Sequence, residues 1–236
     1  MNGNLQGVLS NVRAIAFDLD NTLWDVEPVL ARAEARLHAW LQEHCPRIAQ
    51  HLSPEDMRRA REELARREPH HAHDLSYLRL SALAAHAREH GYDEHLARQA
   101  FEVFLAARNQ LQPSQDVAPA LARLRQRYRL ATLSNGNADL ARIGLDEAFT
   151  LSLNARQIGA AKPHGLCFER LACELRLAPQ EILHVGDDPL LDVEGARAAG
   201  LVSAWMNRRA RAWPQELAVP EVVVADCTQL AALLGV

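Results

Sequence analysis

Several features that mark particular classes of protein are scarce or missing in this chain. Its 236 residues include four cysteines, which form neither a Cys-x-x-Cys pair nor a His-flanked zinc spacing. A zinc module or a disulfide-stapled domain is therefore not indicated, and we expect buried or inert thiols in a reducing compartment. The cysteines are Cys45, Cys167, Cys173 and Cys227.

Long apolar runs and export signals are missing as well. No uninterrupted apolar segment approaches the length that spans a bilayer. Residues 1–12 lack the basic start and apolar core of a signal peptide. We therefore predict a cytoplasmic protein without a membrane partner.

An excess of positive charge is also lacking. Lys and Arg total 26 against 30 Asp and Glu, and the formal net charge is −4. Nucleic acids are bound through clustered Lys and Arg, whereas the arginines in the first half alternate with glutamates, as on solvated helix faces. We expect no nucleic-acid partner. The apolar fraction of 48% is typical of a globular chain that can bury a sizeable core.

Glycine and β-branched residues are rare between Pro28 and Asn109, where Ala, Leu, Arg, Glu and His dominate. This composition favours helices. Ser53-Pro54-Glu55-Asp56 is typical of a helix start, with a capping serine, an early proline and acids in the first turn. Another helix is predicted over Asp93–Arg108. Apolar residues recur at helical spacing at Val29, Leu30, Ala33, Leu37, Trp40 and Leu41.

The rest of the chain alternates apolar strands with helices. This alternation implies right-handed βαβ crossovers and a parallel sheet. We predict an α/β fold: a Rossmann-like, doubly wound core domain from residues 1–24 and 113–236, with an all-helical cap domain inserted at 25–112. After the first strand at 14–17, strands are predicted at 130–133, 149–153, 182–185, 201–205 and 222–224. Helices are predicted at 120–128, 166–175, 192–199 and after 224.

Two carboxylates, Asp18 and Asp20, directly follow the first predicted strand. Open α/β sheets bind their ligands at the carboxyl ends of strands. Two carboxylates placed close together repel, so such a pair usually holds a cation or shares a proton. The alternative is an Asx turn in which Asp20 or Asn21 caps the next helix.

Two further motifs follow or adjoin strands in the predicted sheet. Ser134-Asn135-Gly136-Asn137 offers a hydroxyl and free backbone N–H groups that suit a phosphate, although the same residues are common in ordinary turns. Lys162 lies in a loop of small residues. Such a lysine is usually solvated, but here it could place an ammonium beside Asp18 and Asp20.

The last motif is Gly186-Asp187-Asp188, followed by Asp192. Acidic residues at a strand end and at the start of a helix are typical of a hard-cation site such as that of Mg²⁺. The alternative is that Asp192 only caps a helix, which leaves Asp187 and Asp188 unexplained.

These four motifs, in this order, resemble those of the haloacid dehalogenase superfamily of phosphatases, and the helical insertion resembles its type-1 cap. The narrower resemblance is to bacterial phosphatases of flavin mononucleotide and 5-amino-6-(5-phospho-D-ribitylamino)uracil. Pro163-His164-Gly165 departs from many relatives, in which Asp or another short polar residue follows Lys-Pro. The resemblance rests on Asp18-Leu19-Asp20-Asn21-Thr22, Ser134, Lys162, and Gly186-Asp187-Asp188 with Asp192.

The resemblance implies a Mg²⁺-dependent hydrolase of phosphomonoesters of small metabolites. Asp18 would be the nucleophile that forms an aspartyl-phosphate, Asp20 the general acid and base, and Lys162 the charge that offsets the phosphate. The expected phosphate-binding groups are Ser134, Lys162 and the backbone of Leu19 and Asn135. The expected metal ligands are Asp18, the backbone carbonyl of Asp20, and Asp187, with Asp188 or Asp192 in direct or water-mediated support.

Other functions remain open from the sequence. A dehalogenase of this fold would attack carbon and need neither Mg²⁺ nor Asp20; a phosphosugar mutase would reuse the aspartyl-phosphate. A non-enzymatic phosphate- or flavin-binding protein is a third alternative. In the cap, His73, Asp74 or Arg79 could reach the polar end of the substrate. We expect Trp205 and Trp213 to serve in packing, and the protein to be a monomer or homodimer.

Overall fold

A computed structural model describes residues 7–236 of the protein. These residues form two compact units. An α/β unit contains residues 7–25, Gln112–Gly136 and Gly144–Val236, and a helical unit contains Val26–Leu111 and Asn137–Ile143. The sequence placed residues 137–143 in the α/β domain. Within the helical unit, the Asp139 N–H donates to Asn109 Oδ1 at 2.8 Å.

All strand pairings of the α/β unit are parallel, in the order β3-β2-β1-β4-β5-β6. The predicted doubly wound, Rossmann-like sheet is therefore confirmed. Strand β1 is central and wholly buried, as its four apolar residues require. The strands are β1 (Ala14–Phe17), β2 (Arg129–Ser134), β3 (Leu151–Asn154), β4 (Ile182–Gly186), β5 (Val202–Met206) and β6 (Val222–Val224).

Helices cover the connections between strands and build the helical unit. In chain order they are α1 (Val26–His44), α2 (Pro46–His51), α3 (Pro54–Arg67), α4 (Leu75–Glu89), α5 (His95–Arg108), α6 (Val117–Leu124), α7 (Leu140–Ile143), α8 (Ala155–Ile158), α9 (Gly165–Leu175), α10 (Gly195–Ala198) and α11 (Cys227–Leu233). A π-helix, Pro189–Glu194, precedes α10. Among residues 7–236, no helix combines the length and the apolarity needed to cross a membrane.

Two helices begin three residues before the predicted start, and in both a proline explains the difference. Helix α6 begins at Val117 and not at Ala120, since Pro119 lies in its first turn, where backbone N–H groups have no intrahelical partner. The helical stretch predicted from Asp192 begins instead at Pro189. Proline is favoured at the first helical position because its φ angle suits a helix.

An ion pair in the α/β unit fixes the chain that follows β1. The Arg208 guanidinium donates to both carboxylate oxygens of Asp116, at 3.0 and 2.8 Å, and to the carbonyl oxygen of Thr22 at 2.6 Å. The same carboxylate accepts from the Cys227 N–H at the start of α11. One arginine thus connects the loop after β1 to the first turns of α6 and α11.

In the helical unit, the predicted start of α3 is confirmed. Ser53 Oγ accepts from the Asp56 N–H, and the Asp56 side chain accepts from the Ser53 N–H, which completes a capping box. The predicted polar loop before α4 contains a short 3₁₀ turn, Pro69–His71. The Asp74 carboxylate caps α4 by accepting from the Tyr77 N–H, so this side chain has a structural role.

A charged cluster is enclosed among the helices of this unit. Arg79 donates to both carboxylate oxygens of Glu34, at 3.1 and 2.8 Å, and Arg61 donates to the same carboxylate at 2.9 Å. The Arg79 guanidinium also lies 3.4 Å from the ring centroid of Phe104. Arg79, a candidate for substrate contact, is thereby held by Glu34 in the interior of the helical unit.

Replacement of Glu34 with Ala should destabilise the helical unit by about 3 kcal/mol, because it leaves two largely buried guanidinium groups without their carboxylate. Loss of helical circular dichroism in urea measures this effect. The control is Glu62→Ala, which breaks an exposed pair with Arg58 and should cost much less, because water screens such a pair. Equal losses in the two variants would contradict the structural role of the cluster.

Candidate active site

Asp18 is the first residue beyond the central strand. Its N–H donates to the carbonyl oxygen of Val185 at 2.8 Å, which continues the pairing of β1 with β4 by one residue. The residue is buried, with 7% of its surface exposed. The chain order of the strands reverses between β1 and β4, so Asp18 lies at the switch point where α/β sheets bind ligands.

Lys162 lies directly against this carboxylate. Its Nζ is 2.7 Å from Asp18 Oδ1 and 2.5 Å from Asp192 Oδ1. The Asn135 side chain holds the lysine backbone from both sides: Oδ1 accepts from the Lys162 N–H at 2.7 Å, and Nδ2 donates to the Lys162 carbonyl oxygen at 3.0 Å. Asn135, in the loop after β2, thus holds Lys162, in the loop before α9, so that its ammonium reaches Asp18.

The buried Asp192 carboxylate accepts hydrogen bonds from several groups of the site besides Lys162. Its Oδ1 also accepts from His184 Nε2 at 3.0 Å, and its Oδ2 accepts from the Asp188 N–H at 3.0 Å. A Cβ at Gly186 would lie 2.1 Å from the Asp192 Cγ, so only glycine permits this close approach. Because His184 donates through Nε2 to a carboxylate, its neutral ring carries the lone pair on the buried Nδ1.

The pKa values reflect two buried carboxylates that share one ammonium. Burial raises the pKa of Asp18 above its ordinary value, and this effect outweighs the opposing Lys162 charge. Burial also acts to raise the pKa of Asp192, but Lys162 and His184 together hold it well below its usual range. The pKa of Lys162 is raised, because the two carboxylates outweigh the effect of burial. Asp192 is therefore the firmly ionised partner of Lys162, and Asp18 has incomplete charge compensation.

Three carboxylates could hold a cation at this point. Asp18, Asp187 and Asp192 each offer an oxygen, and these oxygens lie within 4.8 Å of one another. Burial raises the pKa of Asp187 to about 6, and Asp192 adds to this effect. An incompletely compensated group of hard oxygen donors suits Mg²⁺. The donor set therefore fits the predicted metal.

Asp188 does not belong to this group. Its Oδ1 accepts from the N–H groups of Leu190 and Leu191, both at 2.8 Å, and so caps the π-helix. The sequence left both Asp188 and Asp192 as possible ligands, with a helix cap as the alternative for Asp192; in the structure Asp188 is the cap and Asp192 lies in the carboxylate cluster. The i to i+2 and i+3 spacing of Asp188 to the first helical N–H groups explains the outcome.

Asp20 has a different environment from Asp18. It is only partly buried, and its Oδ1 accepts from Trp24 Nε1 at 2.7 Å. The next residue, Asn21, adopts a left-handed φ of 61°, a conformation that asparagine tolerates better than most residues. Asp18 is buried against Lys162, whereas the partly buried Asp20 contacts Trp24, and these unlike surroundings suit unlike chemical roles.

The predicted phosphate-binding residues lie at the same edge of the sheet. Ser134 ends β2, the neighbour of β1, and its buried Oγ accepts from the Gly136 N–H at 3.0 Å. Leu19 is buried and its carbonyl oxygen accepts from the Leu23 N–H at 2.8 Å. Their roles toward phosphate, and the proposed metal contact of the Asp20 carbonyl, stay predictions.

Comparison with known proteins identifies the family. The model of the haloacid dehalogenase-like hydrolases matches residues 12–200. The chain belongs to this family. The comparison confirms the predicted family, its enzyme class and its fold.

Relatives of this hydrolase carry names of both phosphatases and dehalogenases. It is 28% identical to the 5-amino-6-(5-phospho-D-ribitylamino)uracil phosphatase YigB of Escherichia coli, over 96% of this chain and 98% of that protein. It is 35% identical to a phosphoserine phosphatase of Thermus thermophilus over 57% of this chain and 56% of that protein. A crystal structure titled 2-haloacid dehalogenase, from Pseudomonas syringae, is 34% identical, with a TM-score of 0.90 and coverage of 94% and 98%.

Sequence reasoning missed several residues that shape this hydrolase site. The side chains of Trp24, Asn135 and His184 orient Asp20, Lys162 and Asp192 respectively. Arg211 donates to Asp187 Oδ2 at 3.0 Å and to the Asp187 carbonyl oxygen at 2.9 Å. Lys162, which the sequence did predict for the site, is also the only lysine in the sequence.

Trp205 and Trp213 form a packing pair, in agreement with the expectation for them. Their ring centroids are 4.9 Å apart in an edge-to-face arrangement. Trp205 also donates through Nε1 to the Asp187 carbonyl oxygen at 2.9 Å. The cysteines form no disulfide among the described residues, and Cys173 differs from the other three in being exposed.

Proposed function

We propose that this hydrolase is a Mg²⁺-dependent phosphomonoesterase that acts through an aspartyl-phosphate on Asp18. The observation that carries the proposal is the buried Asp18 carboxylate, held 2.7 Å from the Lys162 ammonium and beside two further carboxylates. A carboxylate can attack a phosphate dianion only where positive charge offsets the repulsion. Lys162 and a cation on this cluster supply that charge.

In the first step, a carboxylate oxygen of Asp18 attacks phosphorus and the bond from phosphorus to the ester oxygen breaks. Asp20, in its protonated form, gives its proton to the departing oxygen, so an alcohol leaves. The hydrogen bond from Trp24 to Asp20 keeps that carboxyl in a fixed orientation. Lys162 remains hydrogen-bonded to Asp18, and the Asn135 side chain keeps the lysine backbone in place.

In the second step, water attacks phosphorus and Asp20, now a carboxylate, accepts its proton. The bond from phosphorus to the Asp18 oxygen breaks, which releases phosphate and regenerates the carboxylate. Ser134 and the backbone N–H groups of Leu19 and Asn135 would bind the non-bridging oxygens in both steps. Asp18, Asp187 and Asp192, with the Asp20 carbonyl, would hold Mg²⁺, which when bound supplies positive charge that stabilises the transferring phosphoryl group.

The proposed substrate is a small phosphorylated metabolite. The relative YigB, similar along nearly the whole chain, is named for 5-amino-6-(5-phospho-D-ribitylamino)uracil. This likeness supports that compound or flavin mononucleotide as the substrate, and a role in riboflavin synthesis. The four free thiols are consistent with the proposed cytoplasmic location.

Hydrolysis of a carbon–halogen bond is the second candidate, because the relative from Pseudomonas syringae is titled a 2-haloacid dehalogenase. That reaction would also use Asp18 to attack, but it would need neither the proton transfer by Asp20 nor a cation on the three carboxylates. The presence of Asp18, Asp187 and Asp192 together favours the phosphatase. Reuse of the aspartyl-phosphate by a second sugar phosphate would instead make the enzyme a mutase.

The test is the release of phosphate from p-nitrophenyl phosphate. We expect activity with Mg²⁺ and its loss in EDTA, with recovery when excess Mg²⁺ is added. A screen then compares kcat/KM for flavin mononucleotide and 5-amino-6-(5-phospho-D-ribitylamino)uracil with that for phosphoserine and sugar phosphates. We expect one of the first two to be preferred by at least about tenfold.

The same preparation is assayed for halide release from 2-chloropropionate. This assay tests the second candidate function, hydrolysis of a carbon–halogen bond. Full phosphatase activity in EDTA would contradict the metal-dependent reaction. Halide release without phosphate release would assign the enzyme to the dehalogenases.

A further inference from the structure

Arg211 makes direct contact with one of the carboxylates that we assign to the metal. Its Nη2 donates both to Oδ2 and to the carbonyl oxygen of Asp187. The Asp187 side chain is 13% exposed and the Arg211 side chain 48% exposed. The guanidinium therefore approaches the cluster from the solvent side, while Lys162 occupies its buried side.

The backbone of Arg211 is fixed for this contact. Asn207 Oδ1 accepts from the Arg211 N–H at 2.8 Å, and Asn207 Nδ2 donates to the Arg211 carbonyl oxygen at 2.9 Å. Asn207 directly follows β5, whose Trp205 donates to the same Asp187 carbonyl oxygen that Arg211 contacts. The loop after β5 is thus built to present one guanidinium to Asp187.

A cation bound by Asp18, Asp187 and Asp192 would need one carboxylate oxygen of Asp187 as a ligand. A carboxylate oxygen that accepts a charged hydrogen bond is a poorer metal ligand, since part of its charge is already neutralised. A guanidinium that stays close also repels a divalent cation. Both effects act in the same direction, against metal binding.

We propose that Arg211 and the divalent cation compete for the Asp187 carboxylate, so that Arg211 weakens metal binding and raises the Mg²⁺ concentration at which the enzyme is loaded. This inference rests on the proposed function only in taking Asp187 as a metal ligand. Arg211 is a regulating residue here and takes no part in the chemical steps. The partial exposure of Arg211 lets it move away from Asp187 when the cation binds.

The test measures binding of Mn²⁺ by electron paramagnetic resonance, without substrate. Mn²⁺ prefers the same oxygen ligands as Mg²⁺ and reports free and bound ion directly. Arg211→Gln, which keeps a neutral donor of similar reach, should lower the dissociation constant about fivefold, the effect expected for loss of a partly exposed charge pair. Arg211→Lys, which keeps the charge, should stay closer to the wild type.

The matched control is Arg209→Gln. It removes the same charge from the same loop, but its guanidinium pairs with Asp25 at 2.8 Å. Its dissociation constant should stay within about twofold of the wild type. An equal gain in affinity for Arg209→Gln would show a general charge effect and overturn the specific competition.

Asp187→Asn distinguishes an error in the competition between Arg211 and the cation from an error in the metal site on which the proposed function depends. If this variant loses Mn²⁺ binding while Arg211→Gln binds no more tightly than the wild type, the metal site stands and the competition is wrong. If the wild type binds no Mn²⁺, or Asp187→Asn binds it normally, the metal site itself is wrong and the inference falls with it. Loss in Asp187→Asn together with a gain in Arg211→Gln supports both.

Discussion

Asp18→Asn should lower kcat for phosphate release by about 10⁴-fold or more, which is the scale of loss when a catalytic nucleophile is removed. Asparagine has the same shape, and its Oδ1 can still accept the hydrogen bond that Asp18 Oδ1 accepts from Lys162. It is too weak a nucleophile to attack phosphorus. Steady-state release of phosphate from p-nitrophenyl phosphate measures the change.

The fold should survive this substitution. Burial penalises the ionised form of Asp18, as the raised pKa shows, and a neutral amide avoids that penalty. We expect the thermal midpoint of Asp18→Asn to equal or exceed that of the wild type. Retention of more than about a tenth of the wild-type kcat, in a folded variant, would exclude Asp18 as the nucleophile.

Asp20→Asn provides the control that distinguishes the two aspartates. With p-nitrophenyl phosphate the leaving group needs little protonation, so Asp18 can still be phosphorylated. Hydrolysis of the aspartyl-phosphate then lacks its base, and the variant should show a burst of nitrophenolate followed by slow turnover. Asp18→Asn should show no burst. The same burst in both variants would contradict their separate roles.

The sequence predicted those features of the site that depend on the positions of the strand ends. Short apolar strands end in polar residues, and the carboxyl ends of neighbouring parallel strands meet at one edge. This relation alone predicts that Asp18, Ser134 and Asp187 meet at one edge of the sheet, as the strand order confirms. It did not depend on side-chain detail, since strand order and direction place the backbone.

The residues that the sequence did not predict act through individual side-chain contacts. His184 lies in the middle of an apolar strand pattern, and only the fold brings its ring to Asp192. Asn135 was considered for its backbone, yet its side chain carries the contact with Lys162. Arg211 is one of many arginines, and no local pattern connects it to Asp187. Such contacts depend on which side chains the fold brings together, which periodicity and capping rules do not describe.

Lys162→Met should reduce both activity and stability. The ammonium lies within 2.7 Å of two buried carboxylates, Asp18 and Asp192, and methionine fills a similar volume without charge. We expect kcat/KM for phosphate esters to fall by about 10³-fold, the upper range for loss of one electrostatic contact to the reacting group. Phosphate release in saturating Mg²⁺ measures this effect.

The free energy of unfolding of Lys162→Met, without metal near pH 8, should be lower than that of the wild type by about 3 kcal/mol. Removal of the Lys162 ammonium leaves the carboxyl groups of Asp18 and Asp192 buried side by side. Urea titration of both proteins gives the difference. Arg170→Met in α9 is the control: its exposed pair with Glu174 should contribute less than about 1 kcal/mol.

The difference in the free energy of unfolding between the wild type and Lys162→Met should shrink as the pH falls from about 8 to about 5. In the wild type, Lys162 and His184 hold the pKa of Asp192 below its usual range, so the stability from this carboxylate is present above about pH 4 and is lost only below that. Without Lys162, burial disfavours the ionised form of Asp192 and His184 alone opposes this effect, so we expect the pKa of Asp192 to rise above its unfolded value. A carboxylate with a raised folded-state pKa costs stability at high pH, and the cost disappears as it is protonated. A difference that stays constant over this range would show that methionine disturbs packing alone, and that the ammonium does not hold Asp192 in its ionised form.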